Sequence, residues 1–138
     1  MPHLTLDHSA HLTGVLDADV LVKELHRLVV EESGSAGVCK TLVRPAGTYV
    51  GDTPDGEAGF LHLEVGLMPG RPEEQRARLS ESALALLDRH LRTVGVRVSA
   101  VSVEVRELAG SYRLSSYGDP GPGGPAPSRS SRRGFDAR

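Results

Sequence analysis

Residues 60–94 read FLHLEVGLMPGRPEEQRARLSESALALLDRHLRTV, and this stretch sets the architecture. From Phe60 to Leu67 the pattern alternates. Leu61, Leu63, Val65 and Leu67 share one face of a strand, and His62 and Glu64 share the other. Gly70-Arg71-Pro72-Glu73-Glu74 follows. Proline at a first helical position needs no N–H there, and the two acids behind it meet the positive helix end, so a helix starts here. Leu79, Ala83, Leu86, Leu87, Leu91 and Val94 then mark one face over about six turns, and Gly95 ends the helix. Val98 to Leu108 is another strand, with Val101, Val103 and Val105 facing inward.

The same plan occurs upstream. His3 to Asp7 alternates, with Leu4 and Leu6 on one face. Asp17 is the N-cap of a helix running to about Val30, with Val20, Leu21, Leu25, Leu28 and Val29 at helical spacing. Gly34 and Gly37 end it. Val38 to Arg44 reads as a strand stopped by Pro45, and Gly47 through Gly56 as a long turn. The order is βαββαβ: an α/β two-layer sandwich with a four-stranded mixed sheet and two helices on one face. Each helical crossover makes its two strands parallel. The uncovered face carries Thr5, His62, Glu64, Ser102 and Glu104, too polar for a monomer core and suited to a subunit interface or a lined channel.

The chain has 138 residues, 38% of them hydrophobic, which suits one domain. A net charge of −2 and a pI near 6.3 give no reason to expect nucleic acid or an anionic membrane as partner. The single cysteine, Cys39, excludes an internal disulfide framework. No apolar run spans a membrane and no signal peptide opens the chain, so the expected location is cytoplasmic. Two Phe, three Tyr and no Trp make a lean core that oligomerisation would help to complete. Residues 118–138 are rich in Gly, Pro, Ser and Arg and read as a disordered tail outside a domain of residues 1–117.

Two positions invite chemistry. Removal of Met1 before the small residue Pro2 leaves a secondary amine at the start of the first strand. Partial burial and a nearby cation lower such an amine from its usual pKa of roughly 8 toward neutrality, where it serves as a general base. Arg71 sits at a strand–helix junction beside free backbone N–H groups, a natural site for gripping a carboxylate. Elsewhere the residues are plainer. His8 and His11 lie three apart without an acidic or sulfur cluster, so no metal is expected. His62 reads as an interface residue, and His26 and His90 as helical residues facing solvent or the core edge. Lys40 beside Cys39 is placed to lower the thiol pKa.

Together these residues resemble the 5-carboxymethyl-2-hydroxymuconate isomerase family. That family belongs to the tautomerase superfamily, with 4-oxalocrotonate tautomerase and macrophage migration inhibitory factor. The resemblance rests on Met1-Pro2-His3, Phe60 to Val65, Gly70-Arg71-Pro72 with Glu74 and Arg76, Val103 to Leu108, and Ser111-Tyr112-Arg113 where the family has Ser-Phe-Lys. It covers residues 1 to 117. It implies a homotrimer acting on a small carboxylic acid without a cofactor. Pro2 is then the base that moves a proton on an unsaturated 2-hydroxy or 2-keto acid, Arg71 a carboxylate clamp, and Lys40 and Arg113 further substrate-binding residues. Where the family has Ile-Arg-Ser-Arg, this chain has Val38-Cys39-Lys40-Thr41, leaving Lys40 or Arg44 to supply charge; Ser115-Ser116 replaces a pair of asparagines. The alternatives are a hydratase, dehalogenase or decarboxylase using a protonated Pro2, and a trimeric binding or scaffold protein without activity. A retained Met1 would rule out both enzyme readings.

Overall fold

In the computed structural model, residues 1–36, 38–51, 59–115 and 117 are described. The proposed tail, Gly37, Ser116 and half of the expected Gly47–Gly56 turn lie outside them. The chain divides into two units, Met1–Glu107 and Leu108–Arg138. The first contains β1 (His3–Ser9), a 3-10 turn (Ala10–Leu12), α1 (Ala18–Ser33), β2 (Lys40–Ala46), β3 (Phe60–Leu67), α2 (Glu73–Val94) and β4 (Ala100–Glu107).

The sheet order is β2-β1-β3-β4. Each crossover pair, β1 with β2 and β3 with β4, is parallel, and β1 meets β3 antiparallel at the centre. The register sets Leu4 against Val65, Leu6 against Leu63, and Leu63 against Val103. All these side chains point to the helices. There they meet Leu21, Leu25 and Val29 of α1 and Leu79, Ala83, Leu86, Leu87 and Leu91 of α2 in one core. The opposite face carries His3, Thr5, Asp7, Lys40, Leu42, Arg44, His62, Glu64, Ser102 and Glu104 by the same parity. Two ion pairs lie on it: Arg44 with Asp7 at 2.8 Å and Arg106 with Glu64 at 3.0 Å.

Both helices stop where glycine takes up left-handed backbone, Gly34 at φ 70° and Gly95 at φ 77°. Asp17 caps α1 by accepting from the Val20 amide at 3.4 Å. Three expectations need correction. α1 runs on past Val30 to Ser33, up to Gly34, the expected terminator, whose amide bonds the Val30 carbonyl. Pro72 is the residue before the first turn of α2 rather than in it. Its ψ of 156° is extended, and its carbonyl accepts from Gln75 and Arg76. Pro45 does not stop β2, which continues to Ala46. β2 is an edge strand, where a missing N–H need cost no ladder bond.

Candidate active site

Parallel pairing of β1 with β2 and antiparallel pairing with β3 gather four chain segments at one end of the sheet. The start of β1 carries Pro2. The start of β2 carries Lys40, opposite His3. The end of β3 is there because His3 also faces Gly66, and the loop from β3 into α2 carries Arg71. The end of β4 comes with β3. Pro2 is buried, and its carbonyl accepts from the Lys40 amide at 3.1 Å, which ties the two strand starts together.

The electrostatics of this end is cationic. Burial lowers the pKa of His3 from its usual 6.5, and the charges of Lys40 and the N-terminal amine lower it further. Three basic groups therefore share the start of β1. Lys40 is exposed at this end, whereas Arg44 lies four residues along the same strand, about 13 Å away at ~3.3 Å per residue. Arg44 also holds Asp7 through two hydrogen bonds of 2.8 and 3.2 Å, and this contact keeps the Asp7 carboxyl below its usual range. The geometry thus separates the two candidates for strand-borne charge: Lys40 is beside Pro2 and Arg44 is not.

Arg71 is held more tightly than a solvated arginine. Its Nε donates to the Ser33 carbonyl at 2.8 Å, Nη1 to the Met68 carbonyl at 3.1 Å, and Nη2 to Ser35 Oγ at 3.3 Å. The guanidinium thus sits on the negative end of α1 and pins it to the β3–α2 loop. The Nε–Nη2 edge is occupied by Ser33 and Ser35, which leaves one hydrogen on each Nη, an end-on pair, for any further acceptor. Glu107 braces the loop from the other side. It accepts from the Gly70 amide at 3.3 Å and pairs with Arg76 at 3.1 Å, while Arg76 also holds Glu73 at 2.8 Å.

Arg113 belongs to the second unit, where its Nη1 donates to the carbonyls of Gly110 and Tyr112, each at 2.9 Å. Cys39 departs from expectation: burial pushes its thiol above the usual 9.0, and the N-terminal amine only partly offsets this. Lys40 is not the cause of any lowering, since neighbours on a strand point to opposite faces. His62 Nδ1 is 2.7 Å from Ser102 Oγ on the open face. His90, read as a solvent or edge residue, is instead buried, and its Nε2 accepts from the Asp17 amide at 3.1 Å at the start of α1. Among the described residues no group of three or more His, Cys, Asp or Glu is placed to hold a metal ion, and no helix is long and apolar enough to cross a membrane.

The family profile of 5-carboxymethyl-2-hydroxymuconate isomerase matches residues 2–116, which includes every element of the sandwich and the Arg113 segment. The chain belongs to that family.

Membership makes this protein an enzyme of the isomerase type. A 5-carboxymethyl-2-hydroxymuconate isomerase from Deinococcus radiodurans R1 is 21% identical, covers 82% of this chain and 88% of its own, and superposes with a TM-score of 0.66. A 5-carboxymethyl-2-hydroxymuconate delta-isomerase is 22% identical over 86% of this chain and 89% of its own, with a TM-score of 0.68. A fused 4-OT symmetric trimer is 13% identical over 80% of this chain and 89% of its own, with a TM-score of 0.61. At these identities the likeness is one of fold, and it is the βαββαβ sandwich read from the sequence. No curated protein matches the chain in sequence.

Proposed function

We propose that this family member is a keto–enol tautomerase in which the nitrogen of Pro2, exposed by removal of Met1, moves a proton on an unsaturated 2-hydroxy or 2-keto carboxylic acid. The observation that carries this reading is the burial of Pro2 at the start of β1, where the Lys40 amide donates to its carbonyl at 3.1 Å and so brings a cationic residue alongside. A proline amine freed at this buried position has Lys40 as its neighbouring cation. Burial and this charge both disfavour its protonated form and leave it a base near neutral pH.

In the reaction, the Pro2 nitrogen accepts the 2-hydroxyl proton. The oxygen electron pair forms the carbonyl, and the displaced π pair takes a proton back from the proline at a distant carbon, so no net proton is gained or lost. Lys40 attracts the carboxylate next to the reacting carbon. Arg71 offers its remaining end-on pair of N–H groups. The polar sheet face is covered by two further copies in a homotrimer. Light scattering at micromolar concentration reads this directly, and a monomer there would defeat it.

The test of the base is Pro2→Ala. Tautomerisation of 2-hydroxymuconate or phenylenolpyruvate is followed by ultraviolet absorbance, after intact mass has established that Met1 is gone. Losing a positioned secondary amine lowers kcat by about 10²–10⁴-fold. A Pro2→Ala protein as active as its parent rejects the mechanism. A binding-protein reading has one observation in its favour, the engagement of Arg71 with the chain's own carbonyls, and absence of turnover by a parent with a free proline would establish it.

A further inference from the structure

His8 is a buried histidine that the proposed reaction does not use. By the parity of β1 it shares the helix side of the sheet with Leu4 and Leu6, about 20 Å along the strand from Pro2 at ~3.3 Å per residue. It lines a partly open cavity of about 180 Å³ between the end of β2 and the turn that leads into α1. Leu12 and Leu16 wall the cavity from the turn, Ala18 from the first residue of α1, and Val43 and Pro45 from β2. Space remains there because β2 is the edge strand and Val43, opposite Leu6 in register, is only partly covered.

The ring of His8 has one polar atom to spare. Its Nδ1 lies 2.8 Å from the Ser9 carbonyl, which can only accept, so Nδ1 carries the hydrogen. In the neutral ring Nε2 is then a lone-pair acceptor, and among the described residues it makes no hydrogen bond. His8 is 4% exposed, so bulk water scarcely reaches the ring, and a buried acceptor without a donor is unfavourable. A single trapped water is poorly held here, because it needs several polar partners. The only other polar side chain in the lining is Thr13, which is exposed at the rim. The volume is close to the roughly 150 Å³ of an apolar protein cavity that takes up benzene. An apolar body the size of one ring, carrying one strong donor, matches these walls, and a phenol is such a molecule.

We infer that this cavity binds a small neutral phenol, its ring against Leu12, Leu16 and Val43 and its hydroxyl donating to His8 Nε2. The site is remote from Pro2, so its occupancy does not depend on the tautomerase reading. The probe is 4-fluorophenol, titrated into the full-length protein and followed by fluorine NMR. 4-Fluoroanisole, the same ring with its donor capped by a methyl group, binds about tenfold more weakly, the loss of one hydrogen bond. His8→Phe keeps an aromatic ring and removes Nε2, so the two probes bind it alike. Ala18→Leu, at an exposed position, fills the cavity from its wall and abolishes binding of both probes, which keeps the inference testable even if His8→Phe fails to fold. Equal affinity of the parent for the two probes, no binding of either, or binding that survives Ala18→Leu overturns the inference. Tighter binding of 4-fluorobenzoate than of 4-fluorophenol also overturns it, because an imidazolium rather than a lone pair then faces the cavity.

Discussion

Replacing Arg71 by alanine probes the site most directly, because the pin that this residue forms and the carboxylate contact proposed for it separate in measurement. The guanidinium makes three hydrogen bonds, to the carbonyls of Ser33 and Met68 and to Ser35 Oγ. Hydrogen bonds from a charged donor contribute roughly 1.5–3 kcal/mol each at best. Met68 is exposed and Ser35 half-buried, so water replaces much of what they lose. Ser33 is buried, and its carbonyl at the end of α1 loses its charged partner outright. Arg71 is itself half-exposed, and with solvent screening the net loss is about 2 kcal/mol. For a unit of about 107 residues the unfolding entropy is about 0.22 kcal/mol/K, so Tm falls by about 9 °C. Differential scanning calorimetry at one fixed protein concentration reads this shift. Arg71→Lys recovers less than half, since a single ammonium cannot span three acceptors in a fork. Well below Tm, loss of the carboxylate contact shows as a raised KM and a lowered kcat together. A Tm change under about 2 °C refutes the pin. A full Tm loss with unchanged kinetics at low temperature refutes the carboxylate contact and leaves the pin.

Other expectations follow from placement. Lys40→Gln raises KM for a carboxylate substrate by about tenfold, whereas Arg44→Gln, some 13 Å further along β2 and committed to Asp7, changes it by less than about twofold; steady-state kinetics decides, and equal effects contradict the register argument. Acid weakens the fold in two windows. The His3 pKa is lower folded than unfolded, so the unfolded chain binds the extra proton and stability falls as pH drops from about 6.5 toward the folded value. Asp7 is likewise depressed by Arg44, so its contribution is present above about 3.8 and is lost as pH falls through the folded value. Because this pair is largely exposed, the second effect is shallow. Asp7→Asn flattens the acid limb of Tm against pH below 4 and leaves the upper window unchanged; an unaltered acid limb contradicts the assignment.

The elements and their faces were legible in the sequence because period-2 and period-3.6 patterns are local. Leu61, Leu63 and Val65 alternate with His62 and Glu64 whatever they pair with, and Glu73 and Glu74 mark a helix start from composition alone. The family was legible for the same reason: its marks are short motifs at the chain start, at the β3–α2 junction and after β4. Pairing is not local. That β1 lies between β2 and β3, and so brings Pro2, Lys40 and the Arg71 loop to one end, depends on which strand edges find each other in three dimensions. The same register puts Arg44 against Asp7 rather than beside Pro2, an outcome that neither residue's local sequence contains. An edge position explains why Pro45 extends a strand, and burial explains why His90 caps α1 and why the Cys39 thiol moves up rather than down. Sequence periodicity thus determined which residues share a face, and tertiary pairing alone decided which faces and ends meet. Hydrogen-bond partners, desolvation and charge neighbours are properties of that meeting.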